Sequence, residues 1–292
     1  MDEKFAMSAS EFKTTQAAEV WRRLKRNKAA IVGGVIVAVF VLVAILAPLL
    51  APYDPNEGEL GQRLKPPSAE HWLGTDALGR DILSRVIYGA QVSLQIQLVA
   101  VLIALVLGTL LGMFGGYYGG VTDNVIMRFM DILLAFPGIF LAIAIIAVLG
   151  PGLLNLMLAA GIYSVPQFAR IVRGSILSLK EKEFVEAARA AGESDAAILF
   201  RYLLPNSMAP IIIQTTLRMA TVLLTASGLS FLGLGVQPPR AEWGAMLSTA
   251  RPYLITAPHV ATFPGLAIML VVMGFNLFGD GLRDSLDPRL KD

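Results

Sequence analysis

Long runs of uncharged, apolar residues constrain this chain of 292 residues more than any other feature. Residues 29–53 carry no charged side chain, and residues 132–169 form a second uncharged stretch. About 20 apolar residues are enough for a helix to cross the hydrocarbon core of a bilayer. Hydrophobic residues make up 55% of the chain and charged residues only 16%, so it is too apolar for a soluble domain of this length. We therefore predict an all-α, polytopic membrane protein, because lipid offers no hydrogen-bond partners and a helix pairs its own backbone groups.

The apolar runs and the breaks between them predict six transmembrane helices. Their expected positions are 29–53, 93–114, 132–149, 153–172, 208–236 and 258–279. The sequence Gly-Pro-Gly at 150–152 predicts a tight hairpin, which makes Pro137 and Pro166 kinks inside membrane helices. Glycines at every fourth position, which let two membrane helices approach closely, end the second predicted span. They are Gly108, Gly112, Gly116 and Gly120.

The distribution of basic residues predicts the orientation of these helices. Segments that the six-span layout places inside contain 17 Lys and Arg, against 6 in the outer loops. This asymmetry follows the positive-inside rule and predicts cytoplasmic N- and C-termini in the bacterial cytoplasmic membrane. Residues 1–28 are expected to form a cytoplasmic amphipathic segment along the lipid headgroups. Residues 29–292 would then be the transmembrane domain, with an outer loop at 54–85.

A polar segment at 184–206 interrupts the apolar pattern. Glu186, Ala187 and Ala188 belong to a stretch of strong helix formers that Gly192 can end in a left-handed cap. Ser194 can cap a second helix from residue 195 to about residue 203, before a proline. A helix, a glycine turn and a second helix form a surface element that another protein could grip.

The outer loop contains a compact group of charged residues, Asp76, Gly79, Arg80 and Asp81. Two carboxylates beside an arginine could indicate an active or metal site, but only His71 lies near them in sequence. We expect instead that the aspartates cap local turns. The chain has no cysteine and no Gly-Lys-Ser/Thr phosphate-binding loop, so any ATP must bind a partner.

Polar residues within the apolar runs are the candidates for a translocation pathway. Arg218 lies about ten residues into the fifth predicted span, where an arginine costs on the order of 2.5–3.5 kcal/mol on insertion scales. It could line an aqueous cavity, or it could extend to the cytoplasmic interface. Gln214 and Asn276 are the other candidates. We also expect Arg128 to pair with Asp131 across one helical turn.

Aromatic and acidic residues near the C-terminal end permit two smaller interpretations. Trp243 and Tyr253 suit a membrane–water interface. The acids at 280, 284 and 287 do not have the spacing of a calcium-binding loop, so they are read as an exposed, capped helix end.

The polar segment is similar to the EAA loop of the membrane subunits of binding-protein-dependent ATP-binding cassette importers. The similarity rests on Glu186-Ala187-Ala188, Gly192 and Leu204-Pro205. One position departs from the family, which usually has an aliphatic residue where this chain has Tyr202. Three further motifs resemble sequence motifs of the second permease subunit of dipeptide, oligopeptide, nickel or glutathione importers. They are Gly-Thr-Asp-x-x-Gly-Arg-Asp at 74–81, Leu-Gly-Leu-Gly-x-Gln-Pro-Pro-x-x-Glu-Trp-Gly at 232–244 and Gly-Asp-Gly-Leu-Arg-Asp-x-Leu-Asp-Pro at 279–288.

This resemblance implies a type I importer permease fold and a set of partners. The chain would pair with a homologous permease subunit, above two ATPase subunits that bind ATP and Mg, and below an extracytoplasmic binding protein. It would itself be no enzyme and hold no cofactor or metal. Short peptides are the expected substrate, with glutathione or a nickel chelate as alternatives. The scarcity of His and Cys disfavours nickel.

Two other classes of protein are less compatible with the sequence. Proton-coupled secondary transporters place acids or histidines inside their spans, and here only Asp131 and His259, each at the edge of a span, are of this kind. A membrane enzyme would need a converging nucleophile, base or metal set, which the sequence does not offer. The net charge of +2 gives no reason to expect nucleic acid.

Overall fold

The computed structural model describes residues 20–286, and helices account for most of them. Within that range no β-strand forms, and Thr75 and Asp81 make only an isolated bridge. The principal helices are α1 (Lys28–Ile45), α2 (Ile82–Tyr118), α3 (Gly120–Ala135), α4 (Gly138–Leu149), α5 (Leu153–Leu179), α6 (Glu183–Ala190), α7 (Met208–Phe231), α8 (Trp243–Ala250) and α9 (His259–Leu286). The all-α prediction is confirmed.

The length and apolar character of the helices determine part of the count of membrane spans. Among the described residues, α1, α2, α7 and α9 are each long and apolar enough to cross a membrane. The pair α3 and α4 would add a fifth span if it crosses as one bent unit. Helix α5 has 27 residues, but Gln167, Arg170 and Arg173 dilute its apolar character. The polytopic membrane class is confirmed, and the count of six spans stays a prediction.

Helices α2 and α5 form the most extensive helix pair, and glycines bring them together. A Cβ atom built on Gly108 would lie 2.4 Å from the Cβ of Phe168, and one on Gly112 would lie 2.5 Å from the carbonyl oxygen of Ala169. Gly116 meets α5 in the same way. Three of the four spaced glycines therefore serve close helix packing. The fourth, Gly120, begins α3 with open space around it.

Helices α1 and α7 both pack against α9 on another side of the molecule. A Cβ atom on Gly33 of α1 would lie 2.6 Å from the carbonyl oxygen of Gly274 in α9. Gly281 makes a similarly close approach to Ala30. Trp243 of α8 is completely buried where α2, α7 and α9 meet, and Phe40 packs edge-on against its ring. The Trp243 ring is therefore enclosed by protein and does not face lipid headgroups.

The sequence predicts that Pro137 kinks a continuous helix, but the structure has two separate helices there. Helix α3 ends at Ala135 and α4 starts at Gly138, and the two helices meet at 93°. The ring of a proline clashes with the preceding turn and the residue before it avoids helical geometry, so the chain turns here. Pro166 lies inside α5, as predicted.

Other boundaries and pairings also differ from the sequence-based expectations. Helix α2 begins at Ile82, eleven residues before the expected start, because Asp81 caps it. Asp131 pairs with Arg170 of α5, at 2.6 Å, and not with Arg128. The predicted amphipathic segment at 1–28 is described only from residue 20, where a helical turn covers 20–24, and the acid at 287 also lies outside the described residues.

Candidate coupling surface

The first half of the polar segment is a short helix with a well-defined end. Helix α6 covers Glu183–Ala190, and Gly192 follows it with φ +81°. The N–H of Gly192 donates to the carbonyl of Arg189, and the N–H of Glu193 donates to that of Ala188. This is the Schellman arrangement, which satisfies the last carbonyls of a helix and favours glycine at the left-handed position. The predicted glycine turn is thus present.

The second half is helical for longer than the sequence predicts. The Ser194 hydroxyl accepts from the N–H of Ala197, and helical turns continue through Asp195–Ala197, Ile198–Leu203 and Leu204–Asn206. The expected end near residue 203, before Pro205, is wrong. The middle stretch is a π-helix, whose wider turns change the backbone pairing just before the proline. In this way the chain continues past a residue that has no N–H to donate.

A buried apolar cluster fixes both halves of this segment to the transmembrane helices. Val185 and Ala188 of α6 face inward, together with Ile198, Leu199 and Leu203 of the second half. They pack against side chains of α2, α5 and α7. The segment is therefore rigidly mounted, because moving it would expose buried apolar surface.

The six residues predicted for ATPase coupling divide into exposed and inward-facing ones. Glu186, Ala187, Gly192 and Pro205 are exposed, whereas Ala188 is buried and Leu204 is half-buried. The four exposed residues can be reached by a partner. The other two, Ala188 and Leu204, belong to the apolar contacts that fix the segment to the transmembrane helices. Tyr202, where the family usually has an aliphatic residue, packs beside the same cluster and donates its hydroxyl to Glu193.

Two phenylalanines on this surface are not singled out by the sequence reasoning. Phe184 and Phe200 are 37% and 49% exposed, which is unusual for large apolar side chains on a polar segment. Exposed aromatic residues are common anchors in protein interfaces. No sequence signal marks them, because the same segment contains inward-facing apolar residues such as Val185 and Leu199.

Tyr117 links the end of α2 to both halves of the segment. Its hydroxyl donates to a carboxylate oxygen of Asp195 at 2.7 Å. The guanidinium of Arg189 lies 5.6 Å from the centre of its ring, within the range of a cation–π interaction. We call Tyr117, Arg189 and Asp195 the tyrosine clamp. Nothing in the sequence pattern pairs these distant residues, so the clamp is visible only in the structure.

The charged motif of the outer loop forms a buried network next to the start of α2. The Asp76 carboxylate accepts from Arg80 at 2.7 Å and lies 3.5 Å from the guanidinium of Arg85. It also accepts from the backbone N–H groups of Leu78 and Arg80. At Gly79 a Cβ atom would come within 1.9 Å of the Glu59 carbonyl oxygen, so no larger residue fits without movement.

Asp81 fixes the beginning of α2. Its carboxylate accepts from the N–H and the hydroxyl of Ser84, and the other oxygen lies 3.0 Å from Nδ1 of His71. Among residues 20–286 no group of three or more His, Asp or Glu side chains is arranged to hold a metal ion. The motif thus has the capping geometry that the sequence predicts, and its residues are mutually bonded.

Glu242 begins α8 as a buried carboxyl. Its two oxygens accept from the N–H groups of Gly244 and Ala245, at 2.9 and 2.8 Å, and Ser93 of α2 donates its hydroxyl to it. Burial raises the pKa of the Glu242 carboxyl, while the two backbone N–H groups oppose that rise. Next to it, the indole N–H of Trp243 donates to the carbonyl of Val86. These bonds attach α8 to α2.

Of the three candidate pathway residues, only Asn276 lines the groove between α7 and α9. Asn276 is exposed and lines an apolar groove of about 550 Å³ beside α7 and α9. Gln214 is buried, and Arg218 is half-buried next to Tyr163 of α5. Neither lines that groove. The sequence singles out these residues by polarity alone, which does not indicate the side of a helix on which they lie.

Long apolar helices and one rigidly mounted, exposed helix pair define this molecule as a membrane-embedded transport permease. The comparisons with known proteins give the family. Residues 108–292 match the family described as binding-protein-dependent transport system inner membrane component, and residues 15–67 match the N-terminal TM domain of oligopeptide transport permease C. The chain belongs to this family of binding-protein-dependent inner membrane components.

Two relatives illustrate the match. The dipeptide transport system permease protein DppC of Alkalihalophilus pseudofirmus is 53% identical over 273 residues, covering 94% of this chain and 90% of the relative. The glutathione transport system permease protein GsiD of Salmonella paratyphi A is 53% identical over 274 residues, with the same coverage. Both relatives are permease subunits by name.

A solved structure supports the fold. A chain of the MetNI methionine ABC transporter, crystallised in inward-facing conformations, superimposes with a TM-score of 0.58 at 18% identity. The superposition covers 70% of this chain and 98% of that one. The type I permease fold predicted from the sequence is confirmed.

Proposed function

We propose that this chain is one of two membrane subunits of an ATP-driven importer that carries short peptides across the cytoplasmic membrane. The observation that carries the proposal is the exposed helix pair at 184–206, mounted on transmembrane helices and presenting Glu186, Ala187 and Gly192 to a partner. A rigid element fixed to several helices can transmit the movement of an attached motor to all of them.

The partners follow from this role. Two ATPase subunits bind ATP and Mg and dock on the exposed helix pair, and a homologous permease subunit completes the pore. A soluble extracytoplasmic protein delivers substrate. ATP binding draws the two coupling segments together and opens the pathway outward, and hydrolysis resets it. This chain contributes no catalytic residue and holds no cofactor or metal.

The orientation is proposed from charge. Residues 1–28 and the C-terminus lie in the cytoplasm, the loop 54–85 lies outside, and 29–292 form the permease domain. The motif around Asp76 and Arg80 then holds the outer end of α2 on the side of the binding protein. Membrane lipid surrounds the apolar helices, whose large exposed side chains include Ile31, Val39 and Leu49.

Short peptides are the proposed substrate class because one relative is named for dipeptide transport and the other for glutathione, which is itself a tripeptide. Glutathione is thus the alternative cargo, and a nickel chelate is the weaker one. Uptake of a labelled dipeptide and of labelled glutathione, in cells deleted for this chain and complemented with it, distinguishes the two. Uptake that persists when the ATPase subunits are deleted would contradict the importer and favour a stand-alone carrier.

Arg218, Gln214 and Asn276 are proposed to lie along the translocation pathway. The proposal for Arg218 is the sharpest, because a guanidinium deep in a spanning helix is stable only beside water or a partner group. There it attracts the carboxylate of a peptide. Replacing Arg218 with Met should reduce uptake at limiting peptide concentration. Unchanged uptake by this variant, at equal amounts in the membrane, would remove Arg218 from the pathway.

A further inference from the structure

A groove at the corner between residues 20–24 and helices α1 and α9 is not accounted for by the import function. It has a volume of about 250 Å³, and Lys25 is the only charged residue in its lining. Its other walls are apolar and include Trp21, Ile31, Gly34 and Phe278. Trp21 and Ile31 are 58% and 46% exposed, so apolar surface remains uncovered here.

The groove follows from how the chain is built. Asn27 separates the first turn from α1, and its side chain accepts from the N–H of Ala30 at the start of that helix. The corner between the two helical segments is thereby fixed. Gly33 sets a close contact between α1 and α9. Its neighbour Gly34 leaves room beside the Phe278 ring, since a Cβ there would lie 3.4 Å from it.

The segment that leads into α1 is strongly basic, and its Lys25 lines the groove. Arg22, Lys25, Arg26 and Lys28 are exposed within seven residues, and no acidic residue occurs from 20 to 53. The ammonium of Lys25 lies 5.0 Å from the centre of the Trp21 ring, which places a positive charge over the interfacial aromatic residue. Basic residues beside a membrane helix attract anionic lipid headgroups, and tryptophan prefers the headgroup level.

We propose that this groove binds one anionic phospholipid, with the phosphate near Lys25 and an acyl chain along Gly34 and Phe278. The combination of apolar walls with a single charged lining residue, the basic Lys25, favours this occupant over a polypeptide segment, which would bring its own polar backbone into the groove. The lipid fills the space between residues 20–24 and α1. It thereby holds the start of the chain on the membrane surface.

A photo-reactive amino acid in place of Ile31 identifies the occupant. The chain, purified with its associated subunits, is reconstituted in vesicles of phosphatidylglycerol and phosphatidylethanolamine and irradiated. Capture at position 31 should be enriched in phosphatidylglycerol over its share in the vesicle. The matched control is the same probe at Val39, which is 50% exposed on α1 but does not line the groove. Capture there should follow the bulk composition.

Two variants test the chemistry of the site. Lys25→Gln should reduce the enrichment about fivefold, the factor expected for one basic residue at a membrane surface. Arg128→Gln, an exposed basic residue outside the groove, should leave it unchanged. Gly34→Leu fills the groove and should abolish the enrichment without altering capture at Val39.

The possible outcomes are separable from those for import. Both leaflets of the vesicle have the same lipids, so the capture result does not depend on the orientation of the chain. The biological role of the lipid site does rest on the orientation proposed above. Equal lipid composition at Ile31 and Val39 would overturn the proposal. Covalent capture of polypeptide at Ile31, from residues 1–19 or from another subunit, would overturn it as well. Either failure leaves the proposed import function untouched.

Discussion

At the scale of single residues, Gly192 is constrained by its backbone and by nothing else. Its φ of +81° suits glycine, and no atom lies within 4 Å of the position a Cβ would take. A β-branched residue therefore meets backbone strain of about 1–2 kcal/mol, because its Cβ approaches the following carbonyl oxygen, without a clash with any more distant residue. We expect Gly192→Val to reorient the two helices and weaken the recovery of ATPase subunits by up to about tenfold, measured by co-purification.

Two variants provide the controls for Gly192→Val. Gly192→Asn should retain most of the association, because asparagine tolerates the left-handed region better than other residues. Gly174→Val adds the same side chain at a helical position with open space and should have no effect on recovery. Normal ATPase recovery with Gly192→Val would count against docking at this turn.

The buried carboxyl of Glu242 predicts a dependence of stability on pH. Because burial raises its pKa in the folded state, the neutral form is favoured there. The contribution of the Glu242 carboxyl to stability is fully present at pH values below the pKa that it has in the unfolded chain. This contribution is lost as the pH rises through the higher pKa that the carboxyl has in the folded chain. Glu242→Gln is neutral throughout. At acidic pH, where the carboxyl of the parent is neutral, this variant should be less stable by about 1 kcal/mol, since one backbone N–H loses its acceptor.

The difference between Glu242→Gln and the parent should shrink or reverse as the pH rises from the acidic to the alkaline side of neutrality, because the parent begins to ionise its buried carboxyl. Thermal unfolding of the purified protein across this range measures it. The exposed Glu57→Gln serves as the control and should run parallel to the parent. A constant difference between Glu242→Gln and the parent would show that the carboxyl does not titrate in this range.

At the scale of elements, the tyrosine clamp predicts that α2 takes part in transmission. Tyr117→Phe keeps the ring under Arg189 but removes the hydrogen bond to Asp195. We expect a loss of about 1 kcal/mol in stability and, more specifically, fewer peptides transported per ATP hydrolysed by the reconstituted complex.

Tyr118→Phe is the matched control for this variant, since Tyr118 is 52% exposed beside it. A clamp that only stabilises the fold would lower the melting temperature of Tyr117→Phe and leave the transport-to-hydrolysis ratio unchanged. That result would contradict a role in transmission.

Local patterns predict the elements better than they predict the contacts between them. The length of the apolar runs, the glycine spacing on α2 and the cap at Gly192 are all local signals, and the structure agrees with them. The 93° bend at Pro137 and the early start of α2 come from proline geometry and from the Asp81 cap, which the length of an apolar run does not reveal. The pairs Asp131–Arg170 and Tyr117–Asp195 join residues 39 and 78 positions apart, which no local periodicity reveals.

At the scale of the whole molecule, the proposed orientation can be measured directly. When the chain is expressed without its ATPase subunits, a cysteine introduced at Ala187, in a sequence that has no other cysteine, should react with a membrane-impermeant maleimide only after the cells are opened. A cysteine at Glu57 should react in intact cells. Both positions are exposed, so access to the reagent decides the result. Labelling of Ala187→Cys in intact cells would contradict the inward position of the coupling surface.

Helix α2 is longer than the hydrocarbon core of a bilayer is thick. Its 37 residues span about 55 Å, against a hydrocarbon core of about 30 Å. One end is held by Asp81 beside the outer charged network, and the other end carries Tyr117 of the clamp. A tilt of about 5° around the midpoint displaces each tip by about 2 Å in opposite directions. In the orientation and assembly proposed above, α2 itself would therefore connect the side that receives cargo with the side that binds the ATPase subunits, as one rigid lever.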